Sequence, residues 1–79
     1  MSLPDGWRAC ERDEIEKQWS GMAGGVIAAW RDAEGNEVSV HDDGDVAFST
    51  KDGYAAVVPV DLLVHVQAAW VNHQRSRAP

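Results

Sequence analysis

From Gly25 to Val58, short apolar runs alternate with acidic, glycine-bearing segments at nearly constant spacing. Val26-Ile27-Ala28-Ala29-Trp30 precedes Asp32-Ala33-Glu34-Gly35-Asn36, where Gly35 and Asn36 tolerate the positive φ of a tight loop. Val38 and Val40 alternate with Glu37, Ser39 and His41, the period of a strand with one wet face, before Asp42-Asp43-Gly44-Asp45 reverses the chain. Val46 and Phe48 alternate with Ala47 and Ser49, Lys51-Asp52-Gly53 makes the next reversal, and Tyr54 to Val58 offers a fourth, shorter strand. Strand starts recurring about every ten residues predict an antiparallel β-meander.

Paired in register, Ala28, Trp30, Val38, Val40, Val46 and Phe48 form one apolar face, which needs a cover. The stretch after Pro59 supplies it. Pro59 suits a first helical turn, Asp61 complements the amino-terminal dipole, and Leu62, Val66, Ala69, Trp70 and His73 recur at helical spacing with Leu63 beside them. Asp61, His65, Ala68 and Asn72 make the opposite, wet side, with His65 paired to Asp61 one turn away. Val64 and Val71 widen the apolar sector beyond what one small sheet requires, which points to a second contact. Arg75 and Arg77 complement the carboxyl end of the dipole. Upstream, Trp7 to Cys10 carries no decisive pattern. Asp13 and Glu16 have capping-box spacing, and Ile15, Trp19 and Met22 form a narrow apolar stripe on a helix that ends at Gly21 or Gly24-Gly25 and must dock to persist. The fold class predicted is α+β: an N-terminal helix, a three- to four-stranded antiparallel β-meander, and a C-terminal helix packed on the sheet.

The 79 residues make one domain, 1–79, with 1–6 an irregular lead-in and 75–79 a frayed tail. A domain of this size buries only about 60–65% of its unfolded surface, so the large side chains of Trp7, Trp19, Trp30 and Trp70 are expected to build much of the core. Cys10 is the single cysteine, which excludes an internal disulfide and leaves a reduced thiol or an intermolecular bridge. No run approaches the ~18 apolar residues of a membrane span, and the first residues lack the pattern of a signal peptide, so a soluble, cytoplasmic protein is expected.

Chemical signatures are sparse. His41-Asp42-Asp43-Gly44-Asp45 gathers an imidazole and three carboxylates, but it lacks the ligand spacing of a calcium loop and sits between strands, where Asp and Gly serve the turn itself. His65 and His73 lack the close pairing of a zinc site, with His73 read as an edge-of-core residue. No serine stands in a nucleophile elbow, and the Gly21–Gly25 stretch precedes a strand rather than opening a helix. No cofactor, no metal and no catalytic residue are therefore expected, and the chain reads as non-enzymatic.

Charge is the one unusual bulk property. Thirteen acidic residues against seven basic give −6, the opposite sign to a phosphate-neutralising surface, so direct nucleic-acid binding is not expected. The acids concentrate at the turns: Asp42, Asp43 and Asp45 at one end of the sheet, with Glu34, Glu37 and Asp52 in or beside the other turns. Such carboxylates keep a small protein soluble and discourage edge pairing. They also suit a basic surface on a protein or protein complex. In size, charge and lack of catalytic motif the chain is similar in general character to phage-type inhibitors, including DNA-mimicking anti-restriction and anti-CRISPR proteins, a likeness that covers no particular residue. The alternative is a self-associating module with Val64, Val71 and Trp7 at its interface. The expected state is a monomer or a homodimer.

Overall fold

The computed structural model describes residues 2–19, 25–51 and 58–77. Strand β1 (Trp7–Ala9) leads into the short helix α1 (Arg12–Gln18), followed by β2 (Val26–Asp32), β3 (Glu37–His41), β4 (Val46–Ser49) and helix α2 (Leu62–Arg77). The strands form one four-stranded antiparallel sheet in the order β1-β2-β3-β4. The architecture is α+β, with one correction to the expected order: a strand precedes the first helix. Residues 7–9 are too few to show a period, and they are strand because β2 offers its edge, pairing Trp7 with Asp32 and Ala9 with Trp30. The expected strand from Tyr54 lies outside the described residues apart from Val58, as do Met22, Asp52 and Pro79. Among the described residues, no helix is long and apolar enough to cross a membrane.

Cross-strand register explains the two faces. Trp30 stands opposite Val38, which stands opposite Phe48; Ala28 stands opposite Val40, which stands opposite Val46. These positions share a face with Trp7, and α2 lays Leu62 and Val66 on its centre, where Trp7, Trp30, Val38 and Val40 are buried with them. The cover is incomplete. It spans β2 and β3 and leaves Val46 and Phe48 on β4 38% and 51% exposed. Leu62 is fully buried while its neighbour Leu63 is 42% exposed, which fixes the rotation of α2 about its axis.

The opposite face carries α1 on a second, smaller core of Ile15, Val26 and Ala29, edged by Cys10 and Trp19. Val26 and Ala29 are three apart, and a regular strand would point them to opposite faces. A register shift between Val26 and Ala28 resolves this by adding one residue on β2, so both reach α1. Arg12 donates to the Val26 carbonyl at 2.8 Å beside that irregularity. The cap of α1 also differs from expectation. Glu11, not Asp13, is the N-cap, and its backbone N–H donates to Glu14 at 3.1 Å. The chain is still paired to the sheet at Cys10, whose N–H reaches Ala29 O at 2.8 Å, so the helix starts as soon as it departs.

Candidate functional site

Beneath α1 the sheet presents a charged row. Arg8, Arg31 and Glu37 are cross-strand neighbours on β1, β2 and β3. Two guanidiniums side by side repel, and α1 supplies the counterweight. Glu14 accepts from Arg8 at 2.8 and 2.7 Å and lies 3.6 Å from Arg31. One turn later Gln18 donates to both Glu37 oxygens at 2.8 Å and accepts from Arg31, which also lies 3.5 Å from Glu37. The hydrogen bonds from Arg8, then that from the Glu11 backbone, hold the Glu14 carboxyl down to about 2. Two shallow clefts flank the row: about 330 Å³ bounded by Glu14, Lys17, Gln18 and Arg31, and about 360 Å³ that extends toward Glu34 and Lys51. The charges here are mutually satisfied, and their work is to seat a helix too short to stand alone.

The turn acids divide accordingly. Glu37 belongs to the internal row, its side chain 14% exposed and engaged by Gln18 and Arg31, so it is not a free surface charge. Asp32 is likewise taken up by its turn, accepting from the backbone N–H groups of Glu34 and Asn36 and from the Asn36 amide at 2.8–2.9 Å. Partial burial pushes its carboxyl up, and these hydrogen bonds outweigh that and hold it below the usual range. Asn36 thus serves as a hydrogen-bonding partner rather than a positive-φ residue; only Gly35 has that backbone, at φ +91°. Glu34 is exposed, and Asp52 lies outside the described residues.

At the β3–β4 turn Asp42, Asp43 and Asp45 are all exposed. Asp43 accepts from the Asp45 N–H at 3.0 Å, closing the turn around Gly44 at φ +95°. The tip is held from two sides: the Asp42 N–H donates to Gly25 O at 2.8 Å, and a Cβ on Gly44 would lie 3.5 Å from Trp70 Cζ2. No salt bridge to these three carboxylates occurs among the described residues, whereas Arg8, Arg12 and Arg31 all pair with acids of the α1 layer or β3.

Of the residues expected at a self-association surface, Val64 and Val71 lie two turns apart on one side of α2, and Trp7 lies beneath the helix. Trp7 is buried in the α2 core, Val71 is half-buried, and Val64 stands exposed on the outer side of α2. The exposed apolar residues nearest the sheet edge are instead Val46 and Phe48. His65 contacts Ser2 O at 3.3 Å rather than Asp61, and His73 stacks on Trp70 with ring centroids 6.0 Å apart. His41 Nε2 lies 3.1 Å from Ser39 Oγ. Among the described residues, no group of three or more His, Cys, Asp or Glu is placed to hold a metal ion. Cys10 is free and half-buried, and burial pushes its thiol up.

The sequence reading missed the ionic row. Its one legible signal was the symmetric placement of Arg31 and Glu37 about Glu34, which makes them hairpin partners. No family model, curated protein or solved structure matches the chain.

Proposed function

We propose that the chain is a non-enzymatic binding protein whose β3–β4 tip engages a basic surface on a protein or protein complex. The observation that supports this reading is the segregation of charge. The described arginines of the amino-terminal half are paired within the α1 layer, while Asp42, Asp43 and Asp45 stand exposed on a turn anchored to Gly25 and faced by Trp70. A fixed cluster of like charges loses little freedom on meeting an opposite surface and speeds the encounter. Nucleic-acid-binding proteins present such surfaces, and a phage-type inhibitor that occupies one is the specific form of this proposal.

The test is affinity capture from a lysate at low and high salt, with bound proteins identified by mass spectrometry. A triple variant, Asp42→Lys, Asp43→Asn and Asp45→Lys, serves as the control. Asparagine at 43 keeps the side-chain acceptor for the Asp45 N–H. The expected result is a basic protein or complex released by salt, displaced by duplex DNA, and not captured by the triple variant, whose melting temperature stays close to that of the parent. Equal capture by parent and variant overturns the reading, as does a captured set without basic proteins.

A further inference from the structure

Strand β4 pairs with β3 and with no other described strand, which leaves its second edge to be explained. The His41 N–H donates to Asp45 O at 2.8 Å, and the register continues through Ser39 with Ala47 and Glu37 with Ser49. In an antiparallel ladder alternate pairs exchange both hydrogen bonds, so the odd-numbered residues of β4 direct their backbone groups to β3. Val46 and Phe48 therefore direct their N–H and C=O groups away from it. The same two residues carry the exposed apolar side chains, on the face that α2 leaves open. Edge strands are ordinarily blunted by charge, proline or cover, and the Val46-Ala47-Phe48-Ser49 run contains neither a charge nor a proline.

We propose that β4 is the seam of a homodimer, in which two copies pair antiparallel about a two-fold axis through Ala47. In this register Val46 and Phe48 of the second copy stand opposite one another and exchange backbone hydrogen bonds, twice by symmetry. An apolar side chain then meets an apolar side chain on the open face, and the two Ala47 residues meet on the other. The ends of the strand match as well. Asp45 falls opposite Ser49 of the second copy, and Asp43 falls toward its Lys51, so the acidic tip of each copy lies beside the cation-bearing end of the other. The two tips are kept at opposite ends of the seam, which limits repulsion between copies that each carry −6. This surface is distinct from Val64, Val71 and Trp7, and it does not depend on the tip's binding a partner.

The test uses the full chain. Light scattering on a sizing column, from micromolar to millimolar concentration, is expected to show the mass rise from 8.6 kDa toward twice that value. Phe48→Lys, at an exposed position, should keep the chain monomeric without loss of helix or sheet signal. Adding Val46→Glu to it should restore the dimer, because the two introduced charges, opposite in sign, then face one another across the seam. Facing residues of a non-hydrogen-bonded pair lie about 4.5 Å apart between Cα atoms, within the range a disulfide spans. Ala47→Cys in a Cys10→Ala background should therefore oxidise to a covalent dimer at least ten-fold faster than Ser49→Cys in the same background. A chain that stays monomeric at millimolar concentration overturns the proposal, and protection of the Val46 and Phe48 amides in that monomer would show the edge covered from within. A dimer indifferent to Phe48→Lys overturns it as well, by placing the contact elsewhere.

Discussion

Leu62 and Leu63 are adjacent in sequence and similar in composition-level expectation, yet the structure gives them opposite energetic weight. Leu62 is 0% exposed among Trp7, Trp30, Val38 and Val40, while Leu63 is 42% exposed. Leu62→Ala removes three buried carbon atoms and leaves a cavity that a strand pair and a helix can close only in part, a change that costs about 2–5 kcal/mol. A chain of 79 residues has a total stability of about 4–12 kcal/mol at the usual per-residue range. A loss near 3 kcal/mol is then a quarter to three quarters of the whole and lowers the melting temperature by roughly 12–24 °C. Leu63→Ala removes the same atoms from a half-wet position and should cost below about 1 kcal/mol, with helix propensity nearly unchanged. Urea unfolding followed by tryptophan emission measures both, and an unchanged slope against urea confirms that stability, not compactness, has moved. Equal losses at the two positions, or a Leu62 loss under 1 kcal/mol, would refute the docking of α2 described above.

Two further outcomes follow from the α1 layer and the first turn. Glu14 titrates lower folded than unfolded, so its contribution is present above about pH 4.3 and is lost as pH falls toward 2. Asp32 acts in the same direction. Glu14→Gln should therefore flatten the acid limb of the stability curve in that window, and an unchanged limb would mean that the Arg8 contact does not persist in solution. Gly35→Ala should destabilise by about 1–2 kcal/mol from its left-handed backbone alone, at φ +91°. The added Cβ would also sit 2.8 Å from Lys51 Cβ, so in a Lys51→Gly background the loss measured by thermal melting should shrink toward the backbone contribution.

What the sequence made legible follows a physical line. β3, β4 and α2 each have a period long enough to read, and the Asp-Gly composition of the β3–β4 turn announced both its position and its exposure. The features that escaped depend on contacts between distant segments. β1 is strand only because β2 has an edge to offer, and Val26 faces α1 only because one residue is bulged out beside it. Glu37 alternates as a wet-face residue should, yet α1 sits over that face and draws it into the ionic row. The capping box was misplaced by two residues because Glu11 with Glu14 and Asp13 with Glu16 share one spacing. The geometry that decides between them is the point where the chain leaves the sheet. Likewise, counting turn acids could not separate Asp32, which its own loop consumes as a hydrogen-bond acceptor, from Asp42 and Asp45.

The packing of Trp70 against the β3–β4 turn has an optical consequence. Its six-membered ring lies against Gly44 of the acidic turn, and the His73 ring stacks on it. An indole so placed feels any change in field or hydration at the tip, and its emission shifts when a cation approaches or a neighbouring surface excludes water. The other described tryptophans lie elsewhere: Trp7 and Trp30 at the buried centre of the α2 face, Trp19 beside α1. A variant that keeps Trp70 and replaces Trp7, Trp19 and Trp30 by phenylalanine turns the native side chain into a spectroscopic probe of the tip, with no dye attached and no residue of the turn altered.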